Sequence, residues 1–258
     1  MSKNKKIVLI FIILAISLLC VAPVLMADSG NTTNDSFASA KKWLEKDVYY
    51  DHRRTIYCDA EFNADKLVRL PNGFKTDKYP SRAKKIEWEH VVPAENFGRT
   101  FSEWRDGHPD CVDLKGKSFK GRKCAEQANQ EYRFMQADMY NLYPAIGAVN
   151  ALRQNYNFTQ FQEDMPSSFG TCLMKIQDRK AEPPAPARGV IARTYLYFEQ
   201  AYRRYRMSDA QRKLMEAWDK QYPVDTWECE RACRIQNIQK NKNKVIQDRC
   251  EQKGLWKC

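Results

Sequence analysis

A single α+β domain stapled by disulfides is the fold class this sequence predicts, and three observations predict it. The chain has 258 residues, 43% hydrophobic and 12% aromatic, which is enough to bury a sizeable core, and it shows no internal repeat and no long low-complexity tract. Several helix-spaced apolar stretches flank one run, Ile86–His90, that alternates as a strand does. Nine cysteines are present, eight of them beyond the N-terminal segment.

That segment, residues 1–27, reads as a secretory signal. Lys3, Lys5 and Lys6 form a basic start, Ile7 to Leu19 is almost unbrokenly apolar, and Leu25-Met26-Ala27 places a small residue before Asp28. A retained anchor is disfavoured because the unbroken run is short for a membrane span. Lipid attachment at Cys20 is disfavoured by the bulky Leu19 before it. Residues 28–258 are then the mature domain, periplasmic or secreted and without stable membrane association.

The elements follow in order. Ser36 caps a helix whose apolar residues are Phe37, Ala40, Leu44 and Val48. Ile86, Trp88 and His90 alternate with Glu87 and Glu89 until Pro93 ends the ladder. Polar, basic residues 99–131 suggest a long loop. In "ADMYNLYPAIGAVNALRQNYNF", Pro144 suits a helix start with Asn141 as its cap, and Ile146, Val149 and Leu152 mark a buried stripe that carries Asn150 into the helix. "KAEPPAPARG" reads as a surface loop, and Ile191 to Tyr205 as an aromatic-rich helix. Ser208 and Gln211 fit a capping box for a helix that buries Leu214, Met215, Trp218 and Tyr222 and stops at Pro223.

Loss of the signal removes three lysines and no acids, so the net charge of +11 falls to +8, and a basic exported protein favours polyanionic partners. The eight remaining cysteines, Cys58, Cys111, Cys124, Cys172, Cys229, Cys233, Cys250 and Cys258, imply up to four disulfides. Sequence does not choose the pairing, although Cys111 and Cys124 are close enough to staple one loop and the last four could clamp the C-terminus. A structural zinc site is excluded: the only close pair, Cys229 and Cys233, has no histidine after it.

The residues that carry chemistry lie in two stretches. A regular strand sends Glu89 and His90 to opposite faces, so a shared site requires the chain to twist or leave the sheet there. The bland alternative leaves Glu87 and Glu89 in solvent and His90 as a core histidine. Asn150, beside the packed face of its helix, needs a partner for its amide, either an ordinary hydrogen bond or a hard cation. Magnesium prefers oxygen, retains waters and takes one or two protein ligands together with substrate phosphate. Glu89 and Asn150 offer two such oxygens. His90 has the pKa range of a general base, and Arg122 in "FKGRKC" offers a guanidinium to a phosphate. Together they describe a phosphodiesterase.

Four separated motifs, "EWEHVVPA", "ADMYNLYPAIGAVNALRQNYNF", "ARGVIARTYLYF" and "WDKQYPVDTWEC", occur in the order found in the bacterial endonuclease I family, which the chain resembles over approximately residues 37–250. The resemblance implies a ββα-metal finger within the α+β domain, and hydrolysis of DNA and RNA with little sequence preference to 5′-phosphate ends. It implies His90 as general base, Glu89 and Asn150 as ligands of one Mg2+, with Mn2+ or Ca2+ as substitutes, and Arg122 as the phosphate-stabilising arginine. Cys111, Cys124, Cys172, Cys229 and Cys250 have counterparts. A monomer is expected.

Two departures stand out. Gln136, in "RFMQAD", occupies a position where relatives carry a carboxylate considered as a proton donor, a task an amide cannot perform. The loop from Thr100 to Lys123 is longer than in some relatives and contains His108, which leaves Arg99 and Arg153 as substitutes for Arg122. A zinc protease is excluded, because His90 is followed by Val91 and the helix breaker Pro93 rather than completing H-E-x-x-H. A noncatalytic polyanion-binding protein satisfies the charge and the disulfides but gives no reason for Glu89, His90 and Asn150.

Overall fold

The alternating run forms a strand in the computed structural model, which describes residues 30–162 and 164–258. The expected signal at residues 1–27 lies outside the described residues. In chain order, α1 (Phe37–Trp43) continues into a π-helical stretch (Leu44–Val48) and is followed by β1 (Glu61–Phe62), β2 (Val68–Arg69), a 3-10 turn (Pro80–Lys84) and β3 (Ile86–His90). Helices α2 (Ala94–Gly98), α3 (Ser102–Arg105), α4 (Arg122–Ala128) and α5 (Gln130–Gln136) lead to β4 (Leu142–Ile146) and α6 (Gly147–Arg153). Then come β5 (Asn157–Phe158), β6 (Lys175–Gln177), β7 (Lys180–Glu182), α7 (Ala185–Ala201), α8 (Asp209–Gln221), α9 (Thr226–Gln239) and α10 (Lys244–Gln252).

The centre is an antiparallel pair, β3 with β4, in register from Ile86↔Ile146 to His90↔Leu142, and α6 follows β4 directly. This is the expected ββα unit, with α6 packed against both of its strands. A second small sheet has the order β5-β7-β6, with β5 parallel and β6 antiparallel to β7, and β1 pairs with β2. Ser36 and Ser208 cap their helices through their hydroxyls, which accept from the amides of Ser39 and Gln211. Met215 and Trp218 are buried as the spacing requires.

Five sequence expectations need correction. Pro144 lies inside β4 rather than at a helix start: Leu142–Ile146 is buried along its whole length, and a two-stranded sheet consists of edges, where one missing N–H costs the ladder little. The helix begins instead at Gly147, where a Cβ would come within 2.5 Å of the Arg82 carbonyl oxygen. Asn141 therefore does not cap it. Its amide accepts from the Val92 N–H at 2.7 Å and donates to the Val92 carbonyl at 2.9 Å, clasping the chain as it leaves β3.

The proline-rich stretch supplies β7 and the start of α7, since proline is tolerated in a first helical turn. That helix ends at Ala201, before the expected Tyr205. Residues 99–131 are not one loop, because α3 and α4 interrupt them.

All eight cysteines pair as Cys58–Cys172, Cys111–Cys124, Cys229–Cys250 and Cys233–Cys258. The second bond staples the loop before α4, and the last two clamp the C-terminal helices. No helix among the described residues is long and apolar enough to cross a membrane.

Candidate active site

Glu89 and His90 line one cavity of about 330 Å³ together with Trp88, Arg122, Asn150 and Gln154. The ladder runs unbroken to His90↔Leu142, so the strand itself contains no bulge. The chain turns away only afterwards, at Val91 to Pro93, and the cavity lies around that strand end. A neighbouring cavity of about 540 Å³ shares Trp88, His90, Arg122 and Asn150 and adds Lys41 and Lys42 of α1 to the wall. The two form one trough.

Glu89 is 3% exposed. Its Oε1 accepts from the Tyr57 hydroxyl at 2.9 Å and from Arg153 Nη1 at 2.8 Å, while Oε2 takes no hydrogen bond among the described residues. Burial raises the Glu89 carboxyl pKa against the opposing pull of Arg153. Arg153 is 0% exposed and also donates to the carbonyls of His90 at 2.8 Å and Val91 at 2.7 Å. All of this holds the strand end in place, and it removes Arg153 as a candidate for binding phosphate. Arg99 pairs with Glu95 and lines a separate cavity with Arg179 and Lys180.

His90 Nε2 lies 2.9 Å from the backbone carbonyl of Gln136. A carbonyl only accepts, so the proton is on Nε2 and Nδ1 carries the lone pair. The ring is flanked by Phe37 at 5.0 Å and Phe97 at 6.2 Å between centroids. Burial, joined by the charge of Arg122, lowers the imidazole pKa to about 3, so it stays neutral near neutral pH. Neither other histidine lines this trough: His52 stacks on Trp227 elsewhere, and His108 faces Asp110 in its loop.

Asn150 projects from α6 and donates through Nδ2 to Glu87 Oε2 at 2.8 Å. A carboxylate only accepts, so this bond fixes which end of the amide is oxygen, and Oδ1 has no hydrogen bond among the described residues. Glu87 is held in turn by Arg82 at 2.7 and 2.5 Å. It is therefore a support for Asn150 rather than a carboxylate left to solvent. Arg122, exposed at the first position of α4, lies 5.6 Å from the Phe37 ring centre. With the Gln136 amide oxygen turned toward it, Nη2 and Nε donate at 2.9 and 3.0 Å.

The donor set fits magnesium. Glu89 Oε2 and Asn150 Oδ1 are two oxygens without partners among the described residues, they belong to residues lining the same cavity, and an ion that keeps several waters needs no more from the protein. Among the described residues no group of three or more His, Cys, Asp or Glu could hold a metal, which argues against a zinc-type cage.

Sequence reasoning named Glu89, His90, Asn150 and Arg122, and the fold brings all four together. It missed Tyr57, Glu87, the role of Arg153 and the Gln136 carbonyl. Only Glu87 had a signal, its place two residues before Glu89 on the same strand face.

The class this fold and cleft define is that of an exported nuclease. Over 90% of its length the chain is 39% identical to an extracellular deoxyribonuclease of Aeromonas hydrophila, covering 97% of that protein. It is also 39% identical to a periplasmic deoxyribonuclease of the same species, with 90% and 92% covered. To Endonuclease-1 of Buchnera aphidicola subsp. Acyrthosiphon pisum it is 38% identical, with 77% of this chain and 76% of the relative aligned. The endonuclease I family model matches residues 31–250, and the chain belongs to that family.

Proposed function

We propose that this protein is a magnesium-dependent endonuclease that hydrolyses the phosphodiester bonds of DNA, and of RNA, with little sequence preference and leaves 5′-phosphate ends. One observation carries the reading. A neutral imidazole with a free Nδ1, two uncommitted oxygens on Glu89 and Asn150, and the guanidinium of Arg122 all meet in one cavity.

In this reading His90 Nδ1 takes a proton from the attacking water as its oxygen bonds to phosphorus, and the P–O3′ bond breaks. Arg122 binds a non-bridging oxygen as charge gathers there. Glu89 and Asn150 would hold the magnesium ion, which would supply further stabilisation of that charge. The leaving 3′ oxygen takes its proton from water, because Gln136 carries an amide and not an acid. Lys41 and Lys42 on the trough wall suit flanking phosphates, contacts that carry no base information. Residues 1–27 act as the export signal, and the mature chain works as a monomer.

The test is digestion of supercoiled plasmid with magnesium or with chelator, by wild type and by His90→Ala, with folding followed by thermal melting. Chelation abolishes cleavage, and His90→Ala loses on the order of 10²- to 10⁴-fold in rate, the usual worth of a positioned general base. A folded His90→Ala protein with wild-type rate sinks the mechanism.

A further inference from the structure

We propose that Gln136 is the positioning residue for Arg122, and that its neutral side chain leaves the full charge of the guanidinium for the phosphate. The inference rests on the reading of Arg122 as the phosphate-binding arginine.

Gln136 closes α5 and is 2% exposed, so its own side chain has little freedom. Arg122 is the reverse, an exposed residue at the start of a seven-residue helix, and an arginine left to itself spreads over many rotamers. The amide oxygen of Gln136 takes both Nε and Nη2 of that guanidinium, at 3.0 and 2.9 Å. This fixes the plane of the fork, which the Tyr132 hydroxyl also approaches, and both partners are neutral, so the guanidinium keeps its charge for an anion. No ion pair engages Arg122 among the described residues. A carboxylate in place of the amide would hold the guanidinium equally well but would pair with its charge, weakening the attraction for a phosphate diester.

The same residue also fixes His90, because its main-chain carbonyl takes the Nε2 proton at 2.9 Å. One residue thus sets the base through its backbone and the phosphate anchor through its side chain. The distance between proton acceptor and scissile phosphate follows from a single position at a helix end. Substitution alters only the second of these contacts, since every side chain leaves the carbonyl in place.

A mutant cycle tests this. Gln136→Met, Gln136→Glu, Arg122→Ala and the double variant Gln136→Met/Arg122→Ala are compared in melting, in kcat and KM on a duplex oligonucleotide, and in binding of a labelled duplex in chelator. Gln136→Met is expected to lower kcat/KM about tenfold in the wild-type background, the worth of one hydrogen bond to a charged group. In the Arg122→Ala background it should cost less than about twofold, because a residue that acts through another has nothing left to act on.

Gln136→Glu keeps shape and melting temperature but weakens duplex binding in chelator and raises KM more than it lowers kcat. Equal losses from Gln136→Met in both backgrounds, or wild-type duplex binding by Gln136→Glu, overturn the proposal. If Gln136→Met does not fold, the isosteric Gln136→Glu decides through binding. Wild-type kinetics in Arg122→Ala overturn it too, together with the assignment of that arginine, while the His90 and chelator results stand or fall separately.

Discussion

Arg153 is where the structure makes its sharpest quantitative demand. Replacing it with Met keeps most of the volume and the stem packing but removes a guanidinium that is 0% exposed and donates to Glu89, to the His90 carbonyl and to the Val91 carbonyl. Among the described residues Glu89, 3% exposed, then keeps only the Tyr57 hydroxyl as a partner. Breaking a buried pair from one side typically costs about 3–5 kcal/mol, and two stranded carbonyls add to that unless water enters. Protonation of Glu89 caps the loss, so about 4 kcal/mol is the working figure. At about 2–4 °C per kcal/mol for a domain of this size, the melting temperature falls by about 10 °C.

The assay is calorimetric or circular-dichroism melting in chelator, so that metal binding does not contribute. Adding Glu89→Gln to Arg153→Met removes the stranded charge and should recover a substantial part of the loss. A surface arginine that merely awaited phosphate would cost within about 0.5 kcal/mol. A melt for Arg153→Met that close to wild type, or a double variant worse than the sum of its singles, refutes the reasoning.

The trough walls give a second test. Lys41→Ala/Lys42→Ala should flatten the dependence of log K on log salt by about 0.9 per lost phosphate contact, measured with duplex in chelator, and an unchanged slope removes these lysines from the binding surface. The disulfide between Cys111 and Cys124 anchors the loop that enters α4, two residues beyond Arg122. Replacing both with Ser should cost about 3 kcal/mol, the value for a loop near this length, and lower kcat/KM further by loosening Arg122. Fully reduced protein, verified by thiol counting, that keeps both melt and rate would contradict that account.

Local chemistry made part of this protein legible without coordinates. Alternation at Ile86–His90, the caps at Ser36 and Ser208, and the exclusion of zinc at Cys229 and Cys233 depend on neighbours within a few residues, and they read directly from the chain. The stretch Leu142–Ile146 did not, because a short apolar run suits a buried strand and a buried helix alike, and its proline tipped the reading toward helix. Pairing with β3 decided it. The strand alone also left open whether Glu89 and His90 share a site.

What settled that question was contact across long sequence separations. Tyr57 reaches Glu89 over 32 residues, the Gln136 carbonyl reaches His90 over 46, and Asn150 and Arg153 reach back to β3 over 63 and 64. Residue types along the chain therefore determined which groups were available for chemistry. Their lone pairs, tautomer and orientation were decided by tertiary packing, because a hydrogen bond forms only where folding brings its two ends within about 3 Å.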